Sequence, residues 1–167
     1  EDACAILWSL CGEDPDRLFA LVDDPATETY WVDAALRAIT IGVAKGVLDR
    51  EEMLDAVRRR LEAEIEMERS AGEAVVMKPT WLVATLSVLD VGDDKALPDT
   101  AYSKGLVDTV FINPPAWHEG APRTHEESIA KAERIDGWRY PVDPMGLQDW
   151  ACFNPQGIST PGGHMES

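Results

Sequence analysis

The feature that most limits what this chain can become is a helical hairpin written over residues 27–69. Its first half carries Val32, Ala35, Leu36, Ile39 and Val43, a spacing that lines one face of a helix. Gly46 then offers the left-handed backbone that closes a helix without a Cβ penalty. Asp49 follows as an N-cap, with Glu52 at the capping-box position. The second half resumes the period with Met53, Leu54, Val57, Leu61 and Ile65. Two such helices on a short turn are expected to lie antiparallel and share one apolar seam. Neither buries its whole face alone, so hairpins are expected on both sides.

The flanking sequence meets that demand. Residues 1–12 read as the end of a helix closing at Gly12, after which Asp14 caps a second helix with Pro15 at its first position. Leu18, Phe19, Leu21 and Val22 are its apolar residues, and Asp24-Pro25 ends it. Pro79 or Thr80 opens a third pair, whose first helix is apolar nearly all round from Trp81 to Leu89. Its partner carries Leu97, Pro98, Ala101 and Tyr102 and stops at Gly105. The expected fold class is all-α, with hairpins at residues 1–24, 27–69 and 79–105 at the interval of a solenoid array. One more helix, capped by Thr124, is expected over 124–134, completing a helical-repeat domain over 1–135.

From residue 136 the character changes to an irregular tail rich in proline and glycine, in which helix is disfavoured. It nevertheless carries Trp138, Tyr140, Met145, Leu147, Trp150 and Phe153, an aromatic density foreign to a solvated linker. The tail is therefore expected either to dock on the helical body or to order on a partner. The chain opens on Glu1 inside what reads as a helix, so a further helix upstream is expected.

Charge narrows the function classes. The chain of 167 residues holds 31 acidic and 15 basic residues, a net charge of −16, which argues against nucleic acid as a partner because phosphate contacts need clustered Lys and Arg. No apolar run approaches the ~20 residues that span a bilayer, so no membrane partner is expected. Three cysteines with no CxxC are expected to be free thiols in a reducing cytoplasm. The basic triplet Arg58-Arg59-Arg60 reads as a solvated helix face, with Arg58–Glu62 and Arg60–Glu64 able to pair at i, i+4.

Three stretches in this order resemble a known family: residues 18–25 leading into Tyr30 and Ala34-Ala35-Leu36, then 46–52, then 101–108. They are similar to a bacterial family of HEAT-like helical proteins known as domain of unknown function 1186. The likeness covers residues 10–115, and its most specific piece is 102–108. It implies an all-helical, right-handed stack and no activity, so there are no functional residues to carry over. Some members end in a cysteine-rich metal-binding motif, which this sequence lacks.

The chemistry of the residues is sparse. His118, His125 and Cys152 show no metal-ligand spacing, and neither a GxSxG nor a phosphate-binding glycine loop occurs. No metal and no cofactor are expected. The local cluster able to move a proton is Trp117-His118-Glu119, which makes His118 and Glu119 the catalytic candidates if there is an enzyme. The leading expectation is instead a non-enzymatic scaffold whose acidic surface binds a basic or amphipathic protein segment, with Trp117, Trp138, Tyr140 and Trp150 as anchors. The alternatives are an enzyme with its site between body and tail, and a structural segment of a longer protein.

Overall fold

The computed structural model describes residues 3–11, 14–67, 77–89 and 95–112, together with positions 124, 126, 127 and 130. All regular structure among these residues is helical: α1 (Ala3–Cys11), α2 (Pro15–Asp23), α3 (Thr29–Ala44), α4 (Arg50–Glu66), α5 (Met77–Leu89) and α6 (Ala96–Ser103).

Local signals set the helix ends. Asp14 accepts a hydrogen bond from the Asp16 N–H at 3.1 Å, with Pro15 opening α2. Asp49 accepts from the Glu52 N–H at 2.9 Å and caps α4. These bonds satisfy N–H groups that have no partner inside the first turn. Gly46 and Gly105 both sit at φ +69°, and each closes its helix by the same two bonds. After α3 the Val47 N–H reaches the Gly42 carbonyl at 3.0 Å and the Gly46 N–H the Val43 carbonyl at 2.9 Å. After α6 Leu106 bonds Ala101 at 3.0 Å and Gly105 bonds Tyr102 at 2.9 Å. This is the Schellman arrangement, which needs a left-handed residue at the turn. Helix α5 begins at Met77 rather than at Pro79 or Thr80, because proline is tolerated throughout a first turn, where N–H groups lack helical acceptors anyway.

Packing departs from the hairpin scheme. Helices α3 and α4, although joined by a tight turn, meet over only a small area. Helix α3 packs mainly on α1, α2 and α5, whereas α4 packs on α5 and α6. The expected α3–α4 seam is thus largely replaced by α5, which contacts both. Composition explains this: α5 buries Leu82, Val83, Leu86 and Leu89 together with Pro79, Thr80, Thr85 and Val88, so it offers apolar surface on several faces at once. Helix α3 is likewise buried on two faces. Val32, Ala35, Leu36, Ile39 and Val43 join the main core, while Ala34 and Ile41 form a second small cluster with Ala3 and Cys4 of α1.

The basic triplet is not a uniform solvated face. Arg59 is exposed, but the Arg60 guanidinium lies 3.8 Å from the centroid of the Phe19 ring and grips Asp23 through Nε at 2.9 Å and Nη2 at 2.7 Å. Its Nη1 also donates to the Ala56 carbonyl at 3.0 Å. Glu64, only 5% exposed, meets the Lys78 ammonium at 3.2 Å. Both residues of the expected i, i+4 pair therefore have partners on other helices, and α2, α4 and α5 are tied by charge as well as by apolar contact. A buried carboxylate needs such a partner to offset its lost hydration.

Residues 105–112, which follow α6, fold back onto the body. The Asp108 N–H donates to Thr80 Oγ1 at 2.9 Å, and the Tyr102 hydroxyl donates to the Ile112 carbonyl at 3.1 Å. Burial, and secondarily the Asp99 carboxylate, push the Tyr102 phenol up to about 12. The unfolded phenol ionises near pH ~10, so the folded state favours the neutral hydroxyl. Its stabilising contribution is complete below pH ~10 and is lost as the pH rises through the folded value. Absorbance titration should show a late phenol ionisation from Tyr102, and Tyr102→Phe should remove that late step. A titration curve unchanged by Tyr102→Phe above pH ~10 would contradict the partly buried hydroxyl.

At residue 124 the expected cap is present: Thr124 Oγ1 accepts from the Glu127 N–H at 3.2 Å, and positions 126, 127 and 130 are helical. The remainder of the expected 124–134 helix and the tail over 136–167 lie outside the described residues.

Candidate docking surface

The candidates named from sequence, His118 and Glu119 for catalysis and Trp117, Trp138, Tyr140 and Trp150 for binding, lie outside the described residues. What the described surface offers is charge and two aromatic corners.

The charge is unevenly spent. Arg17 pairs with Asp14 at 3.2 Å, Arg37 with Asp33 at 2.9 Å, Arg58 with Asp55 at 3.8 Å, Arg60 with Asp23 at 2.7 Å, and Arg50 with Glu51. Lys78 sits between Glu64 and Asp23, and Lys104 donates to the Ile65 carbonyl at 2.9 Å. Asp16, Asp24, Glu28, Glu52, Glu62 and Glu66 lie outside those pairs with their residues exposed. Six of the ten described Lys and Arg side chains are thus paired with carboxylates of the chain itself, and with 31 acidic against 15 basic residues the field left for a visitor is negative.

The first aromatic corner is where α2 turns into α3. Tyr30 and Trp31, in the first turn of α3, pack edge to face with ring centroids 5.5 Å apart and an interplanar angle of 73°. They are 54% and 41% exposed, unusual for an aromatic pair on a body with a well-filled core. For Tyr30 the reach of α1 explains it. Tyr30 precedes Ala34 by one turn, on the stripe that α1 covers further along at Ala34 and Ile41. Asp24 and Glu28 are exposed just before the pair, and Asp33 follows it. The signal the sequence offers for this corner is that Tyr30 lies off the Val32–Val43 face.

The second corner follows α6. Phe111, 60% exposed, packs edge to face on Trp81 at 5.3 Å, with Val110 exposed beside it in the chain. Trp81 Nε1 is buried with no acceptor among the described residues.

Catalytic features are few here. Among the described residues no group of three or more His, Cys, Asp or Glu side chains converges. Cys4 is buried and Cys11 half-buried. Burial pushes the Cys11 thiol up; Arg17 opposes this and Asp14 adds to it, so the thiolate a nucleophile needs is disfavoured at neutral pH. No described helix is long and apolar enough to cross a membrane.

A family model described as "Protein of unknown function (DUF1186)" matches residues 1–154. The match is wider than the 10–115 stretch of resemblance and takes in Trp117, His118, Trp138, Tyr140 and Trp150. No curated protein and no solved structure matches the chain.

Proposed function

The chain belongs to the DUF1186 family of proteins of unknown function, and we propose from its own surface that it is a non-enzymatic scaffold binding a basic or amphipathic protein segment. The observation that carries this reading is the internal neutralisation of its cations. With Arg17, Arg37, Arg50, Arg58, Arg60 and Lys78 committed to carboxylates of the chain, the remaining carboxylates repel anions and attract cations. A HEAT-like stack belongs to the same proposal. The contacts of α1 with α3, α3 with α5 and α4 with α6 support it, because such rows of helices present long surfaces suited to extended partners. A reducing, cytoplasmic setting belongs to the same proposal, in keeping with three cysteines and no CxxC pair in the sequence.

The test is direct binding of a synthetic amphipathic helical peptide with a cationic polar face, beside an otherwise identical peptide with glutamate on that face. Lengthening the Debye screening distance from about 10 Å at 0.1 M salt to about 30 Å at 0.01 M should tighten the cationic complex on the order of tenfold. The acidic peptide should not bind. Equal binding of both peptides, or no cationic complex at the lower salt, would sink the reading.

A further inference from the structure

We infer that the Tyr30–Trp31 corner is the anchoring point for that partner, and that it takes an arginine side chain stacked on an exposed ring with flanking carboxylates holding its N–H groups. This rests on the reading of a basic partner and adds where it is held and by which residue type. The chain already contains the arrangement once. Phe19, Arg60 and Asp23 combine a ring, a guanidinium 3.8 Å from its centroid and a carboxylate in two-point contact. The α2–α3 corner presents the ring and carboxylate components of that triad on the outside, in Tyr30 and Trp31 with Asp24 and Glu28 close in sequence.

The geometry leaves room. In an edge-to-face pair each ring keeps a face the other does not cover, and exposures of 54% and 41% put such faces within reach of a ligand. A guanidinium suits the corner better than an ammonium, because it is planar, weakly hydrated and able to stack and donate at once. The N-terminus of α3 opposes a cation with about half a positive charge, but Glu28 at the N-cap position and the nearby Asp24 each supply a full negative one. Attraction therefore wins.

The experiment uses the full chain and the cationic peptide in three forms, bearing arginine, lysine or neutral citrulline on the polar face. Against the arginine peptide, Trp31→Ala should weaken binding roughly 3- to 30-fold, the span of a cation–π contact from exposed to desolvated. Trp31→Phe should recover part of the loss, and Glu28→Gln should reduce affinity and salt dependence together. Circular dichroism matching the parent chain would show that each variant folds. The expected order of peptides is arginine, then lysine, then citrulline. If Trp31→Ala binds the arginine peptide as well as the parent does, with salt dependence intact, the anchor is elsewhere and the scaffold reading survives. If citrulline binds as tightly as arginine, the occupant of the corner is apolar and the inference fails. If no cationic peptide binds the parent chain, both readings fail.

Discussion

Replacing Leu82 with alanine should lower the unfolding free energy by about 2–5 kcal/mol, the range for a fully buried leucine that leaves a cavity. Leu82 is 0% exposed, in the helix that contacts both α3 and α4. Because α3 and α4 touch each other so little, the space left in α5 cannot be closed by a simple approach of those two helices. That argues for the upper half of the range. Small domains are stable by only about 5–15 kcal/mol, so the loss is a large fraction of the whole. Denaturant unfolding measures it: the midpoint should fall while the slope stays as in the parent. A loss below about 1 kcal/mol would mean that α5 is not the shared core the fold describes.

Gly42→Ala should also destabilise, although alanine is the better helix former. In an exposed helix the change would gain about 1 kcal/mol. At position 42 an added Cβ would lie 2.6 Å from Leu48 Cδ1 and 2.6 Å from Trp8 Cζ3, inside van der Waals contact. Leu48 is buried against the core, and Trp8 is part-buried where α1 packs, so neither yields freely. Overpacking of this kind costs about 1–3 kcal/mol, and the collision outweighs the propensity gain. The diagnostic is a double mutant. Leu48→Ala removes two of the colliding atoms, so Gly42→Ala should cost clearly less in that background than in the parent. Additive losses would show that crowding is not the cause. Gly46→Ala is the useful contrast, since its added Cβ meets nothing within 4 Å and only the φ of +69° opposes it.

The binding surface was legible only in part. Net charge was plain from composition, but which charges remain for a partner was not. Arg60 is close in sequence to Glu64 and ends on Asp23, thirty-seven positions away. Tyr30 and Trp31 could be placed at a helix opening, but their exposure depends on how far α1 reaches along α3, which one helix's periodicity does not contain. The roles considered for His118 and Trp117 turned on local clustering in a stretch outside the described residues.

The sequence by itself determined where α2 and α4 begin and where α3 and α6 end. Asp14, Asp49, Gly46 and Gly105 act within one turn of chain, and hydrogen bonds of that range are written in neighbouring residues. It also marked the Val32–Val43 face of α3 and the Met53–Leu61 face of α4 as buried, because a 3.6-residue period marks a buried face whatever that face meets. The tertiary structure alone decided what each face meets. An apolar surface is non-directional and accepts any complementary one, so periodicity could not foresee that α5 would take most of the seam expected between α3 and α4. The same physics placed the two charged residues Arg60 and Glu64. Long side chains of opposite sign pair with whatever the packing brings near, and only the assembled helices put Asp23 and Lys78 there.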